Sequence, residues 1–198
     1  MIGTALRLFI ALTLLTGVIY PLAITVIGQT IWHEKAAGMW LEVNNRIVGS
    51  KWIGQTFSEP RYFWGRPSSS KYDAMNSGGS NLGPTNPQLK KQIEERVAAL
   101  LKADPEAKKE AIPSDLLYAS GSGLDPDISL QGALFQLERV AKARDLDETG
   151  KGELRKMIEL HAKQRFSRLF SQPYVNVLEI NIALDELASK LGKKEKAQ

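Results

Sequence analysis

The alternation of apolar and polar positions that marks a soluble surface is missing at the start of this chain. Residues 8–32 run for 25 positions without a charge, and Arg7 is the one charged side chain before His33. Wound as an α-helix at ~1.5 Å per residue, such a stretch spans about 37 Å and clears a hydrocarbon core of ~30 Å with some tilt. Trp32 stands where an interfacial aromatic belongs, with His33, Glu34 and Lys35 directly after it. The pattern predicts a short N-terminus over residues 1–7, a transmembrane helix over 8–32 and a soluble domain over 33–198. A cleaved signal peptide is the rival reading. The apolar run is longer than an ordinary signal core, and no A-x-A site ends it; Val26-Ile27-Gly28 is a poor substitute.

Within the span, Thr13, Gly17, Pro21, Thr25 and Gly28 recur at three- and four-residue spacing. They form a ridge of small residues while Leu14, Leu15, Ile19 and Ile27 fall elsewhere. Lipid offers no hydrophobic drive for helices to join, so close approach over small residues supplies the packing, and the ridge is expected to face a partner helix. Pro21 lacks an N–H and crowds the carbonyl of Gly17, which predicts a kink near Gly17. Charge does not decide orientation: Arg7 and the α-amine precede the span, and Lys35, Arg46 and Lys51 follow it.

Beyond the span the pattern turns mixed, and the fold class expected is α+β: one membrane helix followed by a single domain of helices and strands. Residues 33–44 carry helical spacing (Ala36, Ala37, Trp40, Leu41) up to Asn44-Asn45. Segments 46–48 and 52–57 flank Gly49-Ser50-Lys51 and read as a short hairpin. Residues 65–85 are rich in Gly, Ser, Asn and Pro and predict a long irregular stretch, which in a compact domain usually signals function. Asn86-Pro87 opens a helix whose stripe is Leu89, Ile93, Val97, Leu100 and Leu101. Residues 116–119 suit a strand or a helical turn. A second helix follows the 120–126 loop, with Leu130, Leu134, Leu137 and Ala141 on one face. A third covers 151–169, through Leu154, Ile158, His161 and Arg165. Residues 174–178 read as a buried strand leading into a helix through Ile182, Leu187 and Leu191, and Lys190, Lys193, Lys194 and Lys196 form a solvated basic end.

The charge balance, 26 basic against 22 acidic groups, leaves no basic stripe for nucleic acid. The absence of cysteine excludes disulfides, thiol catalysis and cysteine-ligated metal. Most catalytic templates also fail. No phosphate-binding loop with its lysine is present, and Gly121-Ser122-Gly123 loses its third glycine to Pro126. Ser120 and Ser122 lack a nucleophile-elbow context, and His33 and His161, the only histidines, do not complete a triad. Asp145, Asp147, Thr149 and Gly150 imitate the start of a calcium loop, but Lys156 occupies the position that needs a bidentate acid. Asp125 and Asp127, either side of Pro126, suit capping of backbone donors. No metal site and no catalytic residue is expected. Ser77-Gly78-Gly79 can present backbone N–H groups to an anion, and resembles the Ser-Gly-Gly run of transporter nucleotide signatures; such strings are also common in ordinary loops.

The segments Trp52-Ile53-Gly54-Gln55-Thr56-Phe57, Tyr62-Phe63-Trp64-Gly65-Arg66-Pro67-Ser68, SGGSNLGPTNP from Ser77, SGSGLDP from Ser120 and Val175-Asn176-Val177-Leu178-Glu179 occur in this order behind one membrane helix. With these five blocks the chain resembles the C subunit of the Kdp potassium-transporting ATPase of bacteria over essentially its whole length. Asp127 stands where many members have His. The resemblance implies a single-pass inner-membrane subunit with a cytoplasmic N-terminus and a periplasmic domain. It implies a potassium-selecting, channel-like partner and an ATP-hydrolysing P-type partner. The family is described as a catalytic chaperone that raises ATP affinity, with Ser77, Gly78 and Gly79 proposed to touch nucleotide, so ATP is an expectation through the complex and no cofactor is expected to be tightly bound. A periplasmic domain conflicts with that contact, because cellular ATP lies on the other side. The expectation is therefore an accessory subunit rather than an enzyme; an independent membrane-anchored extracytoplasmic enzyme is the alternative.

Overall fold

The computed structural model describes residues 2–164 and 171–195. A 30-residue helix, Ile2–Ile31, opens the chain with a mean hydropathy of 2.2, and it is long and apolar enough to cross a membrane. It consists of α1 (Ile2–Leu14), a π turn (Leu15–Ile19) and α2 (Tyr20–Ile31). The disturbance expected near Gly17 takes the form of this π turn. Pro21 has no N–H to offer the carbonyl of Gly17, and the Tyr20 N–H donates instead to Leu15 O, five residues back. In a regular helix an i, i+4 ridge drifts by ~40° per step. The wider π turn takes back part of that drift, so Thr13, Gly17 and Pro21 run more nearly along the axis. The Thr16 and Thr25 hydroxyls donate at 2.8 Å to Leu12 O and Pro21 O, which satisfies them without a partner outside the helix.

The helix stops at Trp32, and the chain folds back through the one-turn α3 (His33–Ala36). Strands β1 (Trp40–Val43) and β2 (Arg46–Ser50) then pair antiparallel, with Val43 opposite Arg46. The expected helix over 33–44 is thus cut to one turn, and Trp40 and Leu41 lie in a strand. The expected hairpin around Gly49-Ser50-Lys51 is also displaced. Its real turn is Asn44-Asn45, both at positive φ (52° and 61°), the conformation that a two-residue hairpin loop demands and that asparagine tolerates. Residues 52–57 have no strand partner.

After the irregular stretch, α4 (Pro87–Ala103) begins as its sequence dictates: Asn86 Oδ1 accepts from the Gln88 N–H at 2.9 Å, and Pro87 takes the first turn. A short strand, β3 (Asp127–Ser129), pairs antiparallel with β4 (Tyr174–Asn176), placing Ile128 opposite Val175. Residues 116–119 form no strand: Leu116 closes the 3₁₀ turn Ser114–Leu116, and 117–119 lead out of it without regular structure. Helices α5 (Leu130–Phe135), α6 (Leu137–Ala143), α7 (Glu148–His161) and α8 (Val177–Glu195) pack around this two-stranded ribbon. Ser129 and Asp147 cap α5 and α7 by accepting from Gly132 and Gly150 N–H. The α7 helix begins ahead of the expected boundary and ends at His161, because Lys163 and Tyr174 exchange backbone hydrogen bonds. Arg165 and residues 166–169 lie outside the described residues, as do the side chains of Lys190, Leu191, Lys193 and Lys194 and all of Lys196. The architecture is α+β, and Phe63, Ile128, Leu154, Ile158, Ile180 and Leu184 form the fully buried centre of its core.

One strand-like segment crosses this core without a strand beside it. Side-chain amides supply the missing backbone partner at Phe63 and Trp64. Asn181 Oδ1 accepts from Phe63 N–H (2.8 Å) and its Nδ2 donates to Phe63 O (3.0 Å). Gln136 repeats the arrangement on Trp64, at 2.7 and 3.1 Å. Both amides are buried. Arg139, also buried, donates to Tyr62 O (3.0 Å), to Pro60 O and to Gln136 Oε1 (2.6 Å), and lies 4.1 Å from the centre of the Trp64 ring. Burial pulls its pKa down to about 10, so it keeps its charge at neutral pH.

Candidate functional site

The five segments that carry the family resemblance are distant in sequence and meet in space. Gly54 N–H donates to Leu124 O (2.8 Å), Ser120 N–H to Pro67 O (3.1 Å) and Val177 N–H to Pro126 O (2.9 Å). Ser68 Oγ donates to Gly123 O at 2.6 Å, and Arg66 Nη1 pairs with Asp125 Oδ2 at 3.0 Å. Asn176 Nδ2 bridges Lys51 O (2.9 Å) and Asp127 Oδ1 (3.1 Å). The centre of the cluster is the 120–126 loop. Gly123 there has φ of +68°, and a Cβ on it would fall 2.7 Å from Gly78 O. Only glycine allows both that backbone and that approach.

Ser77, Gly78 and Gly79 sit against this loop. Gly78 N–H donates to Ser122 O (2.8 Å), Ser77 Oγ donates to the same carbonyl (3.0 Å), and Gly78 O accepts from Ser69 Oγ (2.6 Å). Neither Gly78 nor Gly79 takes a positive φ. A Cβ on Gly79 would come 3.1 Å from Gly121 O, whereas one on Gly78 would meet open space. Thr13, Gly17, Pro21, Thr25 and Gly28 belong to a different element, the N-terminal helix. A Cβ on Gly17 would touch nothing within 4 Å, and one on Gly28 would come 4.0 Å from Ala36 Cβ.

A groove of about 520 Å³ opens beside the cluster, floored by Phe57, Trp64, Pro67, Leu100 and Leu116 and walled by Arg66, Lys71 and Arg96. Its Tyr72 donates to Arg66 O (2.6 Å); burial pushes the phenol up to about 12, so it stays protonated. Burial lowers the Arg96 pKa, and its Nη1 is held by Leu117 O at 2.6 Å. A second cavity, about 700 Å³, is bordered by Asp115, Asp125 and Asp127. Each acid is committed: Asp115 accepts from Ser129 N–H, Asp125 from Arg66 and Asp127 N–H, and Asp127 from Asn176. Among the described residues no group of three or more His, Cys, Asp or Glu is placed to hold a metal ion. His161 sets Nδ1 2.9 Å from Met157 O, a contact within its own helix, and Asp147 is the α7 cap.

Sequence reasoning missed an ionic cluster at the base of α8. Glu179 takes Lys51 on one carboxylate oxygen (2.5 Å) and Lys163 on the other. Burial alone raises its pKa, but the hydrogen bonds from Lys163 and Lys51 outweigh that and hold it below the usual carboxylate range. It also missed Gln136, Arg139 and Asn181, whose one signal is a polar residue on an apolar helix face.

Comparison with known proteins gives a consistent result. The model of the KdpC family, described as "K+-transporting ATPase, c chain", matches residues 2–186. The potassium-transporting ATPase KdpC subunit of Methylibium petroleiphilum is 48% identical over 188 residues, covering 93% of this chain and 96% of that protein. The KdpC subunit of Sorangium cellulosum is 48% identical over 184 residues, covering 91% and 95%. That of Serratia proteamaculans is 48% identical over 186 residues, covering 92% and 96%.

Proposed function

The chain belongs to the KdpC family, the c chain of K+-transporting ATPases, and from that premise we propose that it is a non-catalytic accessory subunit that supports assembly of a potassium-uptake complex. Its N-terminal helix anchors it in the bacterial inner membrane, and its domain stands on the periplasmic face. The partners are the potassium-selecting, channel-like subunit and the ATP-hydrolysing P-type subunit. The small-residue ridge on α1 and α2 packs against a partner helix, and the π turn favours that role by straightening the ridge.

The observation that carries this reading is the internal pairing of the loop cluster. Gly78 N–H, a donor that a phosphate would need, is spent on Ser122 O, and the hydroxyls of Ser77 and Ser69 are spent on the carbonyls of Ser122 and Gly78. The glycine run acts as a latch between two loops, and the cluster offers partner subunits a rigid surface. In the rival reading Ser77, Gly78 and Gly79 touch ATP and raise the affinity of the ATP-hydrolysing subunit.

Gly79→Val separates the two, since its side chain meets Gly121 O and pushes the loops apart. The complex is purified, reconstituted in oriented vesicles and given ATP only on the cytoplasmic face. The expected outcome is a reduced yield of complex or a weaker potassium dependence, with the KM for ATP unchanged. A several-fold rise in that KM in intact complex, about 1 kcal/mol of lost binding, would restore the nucleotide role.

A further inference from the structure

Three of the four tryptophans are exposed beside the outer end of the N-terminal helix. Trp32, Trp40 and Trp52 keep 52%, 55% and 48% of their surface open, and Ile47 keeps 61%. They come from three different places in the chain, and hydrogen bonds gather those places. Ala36 N–H donates to Trp32 O, and Met39 N–H reaches back to Glu34 O at 2.9 Å. Lys51 N–H donates to Met39 O (3.0 Å), Ser50 Oγ to Gly38 O (2.7 Å), and Trp52 N–H to Ser50 Oγ (3.1 Å). The link between helix and hairpin is therefore a closed knot, and Trp40 and Trp52 both leave it exposed.

The level of that knot along the helix is fixed by one contact. The turn α3 folds back so that Ala36 lies 4.0 Å from the position of a Cβ on Gly28, inside the last turn of α2. Gly28 is correspondingly the one half-buried residue of the described helix. The turn α3, and the knot hydrogen-bonded to its end, therefore start at the level of the last turn of the span. The burial of β1 alternates, with Trp40 and Glu42 exposed and Leu41 and Val43 half-buried, and Leu41 and Glu42 both border a cavity against Ile182 and Ala183 of α8. The hairpin thus meets the domain through this side and leaves the Trp40 and Ile47 side chains largely open.

We propose that this knot rests on the bilayer, with Trp32, Trp40 and Trp52 lying in the headgroup region as a collar and Ile47 beside them. Indole rings, apolar in body with one N–H, favour that layer. The exposed charges nearby are mixed, Lys35 and Arg46 against Glu34 and Glu42, so the attraction is that of rings for the interface and not of net charge for anionic lipid. The collar fixes the height and tilt at which the domain leaves the membrane. This inference rests on the membrane-spanning reading of Ile2–Ile31, and its test separates the two.

The full chain is reconstituted in phosphatidylcholine vesicles carrying acyl chains brominated near the headgroup, brominated near the chain end, or unbrominated. Bromine quenches indole fluorescence on contact, and Trp64, packed under Arg139, supplies an unquenched background. Shallow bromines are expected to quench the wild type more than deep ones. In the Trp40→Phe/Trp52→Phe double variant the quenched signal should fall by about two-thirds, two rings of three. An unchanged quenched signal in that double variant, abolished by Trp32→Phe, leaves the span intact and overturns the collar, assigning the exposed rings to water or to a protein partner. Absence of quenching in the wild type overturns the spanning helix itself.

Discussion

Replacing Gln136 by Leu removes the amide that stands in for a β-strand along Trp64. The change keeps roughly the same volume, so packing survives, and the cost is electrostatic. Trp64 N–H and C=O are left without partners in the interior, at ~1–3 kcal/mol each, and Arg139 loses an acceptor that serves a charged donor. Together these come to about 4 kcal/mol, a large part of the ~5–15 kcal/mol that holds an ordinary domain together. For a chain of this size the melting midpoint should drop by roughly 8–16 °C. Near-ultraviolet circular dichroism of the full chain in detergent reads that midpoint free of the backbone signal of the membrane helix, which lies in the far ultraviolet. Gln136→Glu keeps the acceptor for Trp64 N–H and Arg139 and loses only the donor side, so it should lie between the two. A Leu variant within about 2 °C of wild type, under ~1 kcal/mol, would refute the reasoning and assign the hold on this segment to packing of Phe63 alone.

Gly17→Leu fills space that is open within the chain itself, so the variant should insert and fold, yet co-purify poorly with the other subunits of the K+-transporting ATPase; unchanged yield and unchanged growth on limiting potassium would exclude a partner on the ridge. Glu179 is held below the usual carboxylate range in the fold, so the stability it adds is present in full above the unfolded value of ~4.3 and is lost as pH falls through the folded value. Acid titration of thermal stability should therefore show a drop below about pH 4 that Glu179→Gln lacks; parallel curves for the two would show that the Lys51–Glu179–Lys163 cluster contributes nothing.

Features that depend on neighbours in sequence were readable from it. Asn86-Pro87 announces α4 because a capping side chain and a proline act within one turn. The span is readable because water alone excludes it. The hairpin at Asn44-Asn45 was legible in principle, but Trp40 and Leu41 also fit a helical stripe, and the turn that decides between them lies outside that window. The strand Asp127–Ser129 is three residues long, too short for a period to show, and exists because Tyr174–Asn176 pairs with it. The site divides the same way. Its segments stand out by resemblance, but their convergence on the 120–126 loop is a tertiary fact. So is the use of Gln136 and Asn181 as backbone partners, since nothing local distinguishes a buried amide from one at a helix boundary.

The hold that α8 exerts on Phe63 sets an order of events during synthesis. Asn181 lies 118 residues after the backbone it pairs with. At ~5–20 residues per second, Phe63 waits roughly 6–24 seconds for its clamp after leaving the ribosome. The N-terminal helix is long committed by then, and Gln136 and Arg139 emerge in time for Trp64 and Tyr62, while Phe63 between them still has its backbone unpaired. Any factor that escorts this chain has to cover that segment until the last helix arrives, and a ribosome stalled before Asn181 would release a protein that is anchored but open.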